Sequence, residues 1–345
     1  MRKREIEVIG APGSPYTRKL VALLRYRRIP YVVHWRDTAT VLQEKGVEPP
    51  KVALLPTVLL PDGEDDFNVA IDSTPILRGL DERFSRRRVR PVDPALALVD
   101  ALLEDFADEW GTKLMFHYRW HFNADADFCA IELPLAMDPQ MPSTAQAELG
   151  KLFKERQQGR LRYVGSNDVT APIIEAAYLR LLKLLDEHFA TQRFLLGRRP
   201  CAGDFALFGQ LSQLALFDPT PRTLAHEKAP RVVAWTTVMD DLSGISIQRP
   251  AWVALEEQPL TLRALLEEIG RVYAPLLLAN AQAIAEGQTE FETAIDGALW
   301  AQQTFPYQAK CLGWLREEYV ALTDEDPERF DCAIKGTGCE VIFSD

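Results

Sequence analysis

Every strand-like stretch of this chain lies within its first 71 residues, and from residue 95 onward the apolar residues recur only at helical spacing. That change of period constrains the fold more than any other feature. A chain of 345 residues exceeds the usual size of one domain, so it predicts a small α/β unit followed by a larger helical one. We read the first over 1–86, the second over 93–245, and 246–345 as a helical extension packed on the second.

Within the first unit the order follows from alternation and turn residues. Residues 5–9 alternate toward a strand, and Ala11-Pro12-Gly13-Ser14-Pro15 is a turn. Leu20, Leu23 and Leu24 then mark a helix, with Pro15 in its first turn, where a missing N–H costs nothing. Residues 31–35 form a second strand, 38–45 a short helix and 57–60 a third strand. Pro61-Asp62-Gly63 is a turn, 67–69 the returning strand, and Ser73 opens a helix with Ile76, Leu77, Leu80 and Phe84 on one face. A crossover helix makes the first two strands parallel, and a tight turn makes the last two antiparallel. The fold class is therefore an α/β thioredoxin-like N-terminal domain plus an all-α C-terminal domain.

The second unit opens on a long helix carrying Leu96, Val99, Leu103, Phe106, Trp110, Leu114 and His117 on one face. Residues 130–145, rich in proline, read as irregular. Further helices run through 174–189, 204–216 and 262–276, and 291–321 reads as helical with a break at Pro306.

A formal net charge of −11 argues against a nucleic-acid partner, because phosphate binding needs a basic face. The basic run at 86–90 reads as a solvated linker. No apolar run reaches the about 18 residues of a membrane span, and the basic start at residues 1–4 leads into a strand rather than a signal sequence. Five scattered cysteines without a C-x-x-C pair fit neither a disulfide framework nor structural zinc, and a cytoplasmic location is expected. His117 and His121 share a helix face, but no third ligand stands at a standard spacing, so no metal is expected.

Three segments of the first unit carry chemistry. Pro12-Gly13-Ser14-Pro15-Tyr16 sets hydroxyls between a strand and a helix N-terminus, where the dipole and free N–H groups favour an anion. Leu54-Leu55-Pro56-Thr57 puts a proline just before a strand, and Asp72-Ser73 puts an acid and a hydroxyl at another helix start.

In combination and order these segments resemble the glutathione S-transferase family, in its serine-type, bacterial-like form. The Gly197 to Phe205 stretch is similar to that family's helix-capping motif, with Asp204 bonding back to the cap backbone. The resemblance covers roughly residues 5–240. It implies that glutathione is the co-substrate. Ser14 is then the catalytic hydroxyl, with Tyr16 as the rival. Leu55 and a cis-Pro56 pair with the peptide backbone, and Asp72 and Ser73 hold the γ-glutamyl end. It also implies an electrophile pocket on the first long helix, at Trp110, His117 and Tyr118. A detoxifying transferase acting on a small hydrophobic molecule, assembled as a homodimer, is the expected function. A non-catalytic binding or assembly module of the same fold is the alternative, and a glutathione-linked peroxidase or reductase stays open.

The chain departs from the family pattern in four places. Asp72 stands for the usual Glu or Gln, Cys201 stands for the capping Ser or Thr, and Pro15 directly follows Ser14. The chain also runs on for about a hundred residues.

Overall fold

The structure is a computed structural model and describes residues 5–62, 66–247 and 251–344. The first unit runs β1 (Ile6–Ile9), α1 (Pro15–Arg27), β2 (Tyr31–His34), α2 (Thr38–Lys45), β3 (Thr57–Asp62), β4 (Asp66–Ile71) and α3 (Ser73–Arg83). Its sheet has the order β2-β1-β3-β4, with β1 and β2 parallel and the other pairs antiparallel. Gly63 of the expected turn lies outside the described residues.

Alternation along β1 sends Ile6 and Val8 to one face, where they pack with Val58, Leu20, Leu24, Ile76 and Leu77 of the α1/α3 side. Ile9 and Leu59 go to the other face, against Val41 and Leu42 of α2. Each helix starts on a polar cap: Ser14, Asp37 and Asp72 accept from Thr17, Thr40 and Thr74 backbone N–H groups.

The second unit is built on α4 (Pro94–His121), which is buried along most of its length and packs on α9 (Ala202–Leu214). Around this pair lie α5 (Asn123–Met137), α6 (Ser143–Gln158), α7 (Leu161–Val164), α8 (Ala171–Phe189), α10 (Pro219–Lys228) and α11 (Pro230–Met239). Asp204 accepts from the Cys201 N–H at 2.8 Å and the Leu195 N–H at 2.9 Å, so the expected back-bond at the start of α9 is present. The chain continues through α12 (Leu260–Glu268), a π-helical turn (Ile269–Tyr273), α13 (Ala274–Ala285), β5 (Glu290–Ile295), β6 (Ala298–Gln303), α14 (Pro306–Val320), α15 (Asp326–Ile334) and α16 (Glu340–Phe343).

Three sequence expectations need correction. Residues 291–303 are not helical: β5 and β6 pair as a hairpin around Asp296-Gly297, both at positive φ (54° and 75°). An Asp-Gly pair adopts that turn readily, and glycine bears the left-handed conformation without a steric cost. Residues 130–137 are helical despite Pro134. A proline leaves the carbonyl four residues back unpaired, and here Gln146 of α6 donates its side-chain amide to Ala130 O at 3.1 Å. The 86–90 basic run is not a solvated linker. Arg87 lies 4.4 Å over the Tyr26 ring and donates to the Leu242 and Ile245 carbonyls at 3.0 Å each, while Arg90 pairs with Glu318 at 2.7 Å.

Candidate functional site

Strand register assembles the site. Ile9 is opposite Thr57 across β1 and β3, and Thr57 is opposite Ile71 across β3 and β4. The segments that follow β1, precede β3 and follow β4 therefore emerge side by side at one end of the sheet. Those segments carry Ser14, Leu55-Pro56 and Asp72-Ser73 respectively.

Ser14 caps α1, and its Oγ accepts the Thr17 N–H at 3.3 Å. Acceptance leaves the hydroxyl proton free to donate elsewhere. The turn before it is held from the second unit. Arg119 of α4 donates to Gly13 O at 2.8 Å, and its guanidinium is itself fixed by Asp218 (2.9 and 3.1 Å) and Gln213 (2.6 Å). Leu133 of α5 packs on Gly13 so closely that an added Cβ would fall 2.2 Å from its methyl group. A larger residue at position 13 would have to push the Leu133 side chain aside.

Tyr16 points elsewhere. Its phenol donates to Asp108 O at 3.0 Å and pairs with Thr112 Oγ1 at 2.7 Å, both on α4. Burial, with Glu109 and Asp108 nearby, pushes its pKa well above the ordinary phenol value, so it stays neutral and engaged.

The Leu55–Pro56 peptide bond is cis. Leu54 and Leu55 stay open to solvent, at 40% and 37% exposure. Asp72 sits at φ 78°, and its Oδ1 accepts from the Thr74 N–H at 3.4 Å. Its Oδ2 accepts the phenol of Tyr307, from α14, at 2.6 Å. Ser73 is 4% exposed.

Below Thr74, Lys19 of α1 meets Glu104 at 2.7 Å and Asp108 at 2.5 Å, and also donates to Thr74 Oγ1 at 3.3 Å. Burial opposes the ammonium charge, but the two carboxylates outweigh it and hold the Lys19 pKa above its usual value. This buried cluster ties the first unit to α4.

Three residues expected along an electrophile pocket lie in the core instead. Trp110 is buried with its ring 5.5 Å from that of Trp300 on β6. His117 is buried, 2.8 Å from Ser166 Oγ and stacked on His121, and burial with that neighbour lowers its pKa to about 3. Tyr118 is buried with its ring 5.0 Å from Tyr178. Helical geometry explains the first two. At 3.6 residues per turn, positions 108, 112 and 119 share the face toward the Ser14 turn, and 110 and 117 project to the opposite side. Arg119 is thus the α4 residue that holds the Ser14 turn, while Asp108 and Thr112 hold Tyr16. Their spacing, polar within an apolar helix, was the available signal. Among the described residues no group of three or more metal-ligating side chains gathers, and no helix is long and apolar enough to cross a membrane.

Comparison with known proteins agrees with this architecture. Residues 8–88 match the family model described as glutathione S-transferase, N-terminal domain, and 154–237 match that for the C-terminal domain. No curated protein matches the chain. Similar solved structures include a glutathione transferase family member from Pseudomonas fluorescens pf-5 with two glutathione bound. It is 14% identical, over 69% of this chain and 88% of that one, with a TM-score of 0.41. A glutathione S-transferase from Methylobacterium radiotolerans, in complex with glutathione sulfonate, is 17% identical over 74% of this chain and 95% of that one, with a TM-score of 0.39. A Tau class enzyme from mango, Mangifera indica, is 16% identical over 69% and 89%, with a TM-score of 0.39.

Proposed function

This chain belongs to the glutathione S-transferase family, and from that premise we propose that it activates the thiol of glutathione at the Ser14 turn and transfers it to a small apolar electrophile. The observation that carries this reading is the Ser14 hydroxyl. It stands at the N-terminus of a 13-residue helix, accepts the Thr17 N–H, and donates to no other group among the described residues. The positive end of the helix dipole and an O–H donor both favour the charged form of a nearby sulfur. The thiol proton leaves to solvent and the thiolate forms a carbon–sulfur bond. In a substitution the leaving group departs with the electron pair, and in an addition the acceptor takes up a proton. Arg119 donates to the Gly13 carbonyl at 2.8 Å, which offsets the partial negative charge of that oxygen beside the turn. Leu133, which packs on Gly13, offers an apolar surface beside the turn for the acceptor.

Calorimetric titration with reduced glutathione, followed by turnover of a model electrophile, tests the reading. Saturable one-site binding is expected, with turnover lost in Ser14→Ala. Absence of binding at millimolar glutathione would remove it. The second reading, a binding or assembly module, is favoured by one observation: Asp72 is already bonded by Tyr307. It predicts indifference to Ser14→Ala and sensitivity to truncation of the extension. A homodimer in the cytoplasm is part of the proposal, and a scattering mass of one chain would refute the dimer.

A further inference from the structure

We propose that the arginines gathered around Tyr26 form a second binding site, for a small anion of the phosphate class such as pyrophosphate. Ser14 and Arg28 cap opposite ends of the 13-residue α1, so at about 1.5 Å per residue this site lies about 20 Å from the Ser14 turn.

The last turn of α1 carries Tyr26 and Arg27, and Arg28 follows it. Arg87, from the segment between the two units, has its guanidinium 4.4 Å from the centre of the Tyr26 ring. Arg199, from the loop before α9, donates Nε to the Tyr26 hydroxyl at 3.2 Å and a second N–H to the Arg88 carbonyl. Arg28 and Arg87 hold one and the same turn, at the Ser243 carbonyl (2.7 Å) and at the Leu242 and Ile245 carbonyls (3.0 Å each). Asp81 is bonded within the group, and its ion pair is with Arg27. Asp240, just before that turn, is drawn instead to Arg18 (2.6 Å) and Arg25 (3.2 Å). Arg28, Arg87, Arg88 and Arg199 form no ion pair among the described residues.

Charge is the first reason to assign an oxyanion. A carbonyl partner orients a guanidinium without cancelling its charge, so four unpaired cations converge here in a chain of formal net charge −11. Burial lowers the Arg87 pKa, and the Arg28 and Arg199 charges lower it further, against a rise from the Tyr26 phenol. The second reason is the hydrogen-bonding character of the lining. Nε of Arg27, Nε of Arg87 and Nε1 of Trp252 are buried donors without a partner, and Arg199 lies 4.8 Å over the Trp252 ring, which places that indole in the same group. Guanidinium and indole only donate. The buried Tyr26 hydroxyl already accepts from Arg199, and burial raises its pKa, so it too offers a proton. A lining of donors selects a ligand made of acceptors. Phosphate oxygens fit that demand, guanidinium forks match their spacing, and a pyrophosphate brings the several negative charges that four cations can take up.

The test is calorimetric titration of the full chain with inorganic pyrophosphate at fixed ionic strength. Saturable one-site binding is expected. Arg88→Gln should weaken it at least about tenfold, the worth of a charge-assisted hydrogen bond. The Arg88 side chain is exposed and its fold contact is made by its carbonyl, so the melting temperature of that variant without pyrophosphate should match the wild type. Arg28→Gln, which keeps Arg88, should weaken binding by a similar factor. Arg160→Gln, at an exposed arginine outside the cluster, should stay within about twofold of the wild type. No saturable binding to the wild type would overturn the inference. So would wild-type affinity in both cluster variants, or a loss in Arg160→Gln as large as in Arg88→Gln, which would mark attraction by the surface at large.

Discussion

The phenol of Tyr307 donates to the carboxylate of Asp72 across 2.6 Å, joining residues 235 positions apart in the chain. The bond fastens the C-terminal extension to the acid that opens α3. A hydrogen bond to a charged group contributes about 1.5–3 kcal/mol, more than a neutral one. Tyr307→Phe should lower the free energy of unfolding in urea by about 1–2 kcal/mol, because Asp72 is half-exposed and water replaces part of the contact. An unchanged denaturation midpoint would show the contact to be incidental.

Arg119 carries a larger share. It and Asp218 are both buried, and Asp218 is fully so. Removing one member of a buried pair leaves an uncompensated charge and costs about 3–5 kcal/mol. Arg119→Met should be destabilised by that order in denaturant, and the double variant Arg119→Met, Asp218→Asn should recover part of the loss. Arg119→Lys should not rescue it, since an ammonium cannot span Asp218, Gln213 and the Gly13 carbonyl at once. Equal stability of Arg119→Met and wild type would contradict the role given to this residue.

How much of this was legible beforehand depends on distance along the chain. The βαβ and ββ order follows from alternation and turn residues, which are local signals, whereas the joint position of Ser14, Pro56 and Asp72 at one sheet end needs the strand register. The β5–β6 hairpin was misread because Phe291, Ile295 and Leu299 also stand four apart, as on a helix face. The Asp296-Gly297 turn was the signal that separated the two readings. The electrophile pocket at Trp110, His117 and Tyr118 rests on the family resemblance, whereas the angular position of each residue on α4 decides which side it faces. Nothing local to residue 307 marks it as a partner of Asp72.

The hairpin gives its own test. Trp300 is fully buried against Trp110 and lies 5.8 Å from the Lys113 ammonium nitrogen. Trp300→Ala should cost about 3–5 kcal/mol, and Gly297→Ala about 1 kcal/mol because of its positive φ. A thermal melt of each variant checks this, and a small effect at Trp300 would mean that the hairpin is peripheral to the core.

Stability should also fall as pH rises toward 8. Burial raises Asp105 to about 7 and Glu109 to about 8, and each is raised further by carboxylates close by. Asp105 faces the Tyr273 phenol, the Cys311 thiol, Asp108 and Glu104; Glu109 faces Asp105, Asp108, Gln308 and Lys113. Both acids hold their protons more tightly folded than unfolded. Their contribution is therefore complete below the unfolded pKa near 4 and is lost as pH passes about 7 to 8. The limit is about 1.4 kcal/mol per pH unit for each group. Lys113, lowered to about 7 chiefly by burial, acts in the opposite sense only above that pH. Between about pH 5 and 7 the wild type should lose stability faster than Asp105→Asn, Glu109→Gln; parallel profiles would show that these acids do not titrate as described.

The central claim is that Ser14 stabilises a thiolate, and the ultraviolet absorbance of bound thiolate reads it directly. In wild type, bound glutathione should show thiolate absorbance at pH 7, well below the roughly 8.5 of a free thiol. In Ser14→Ala the absorbance should return only near the free value, with binding preserved. A bound thiol that titrates alike in both proteins would contradict the account.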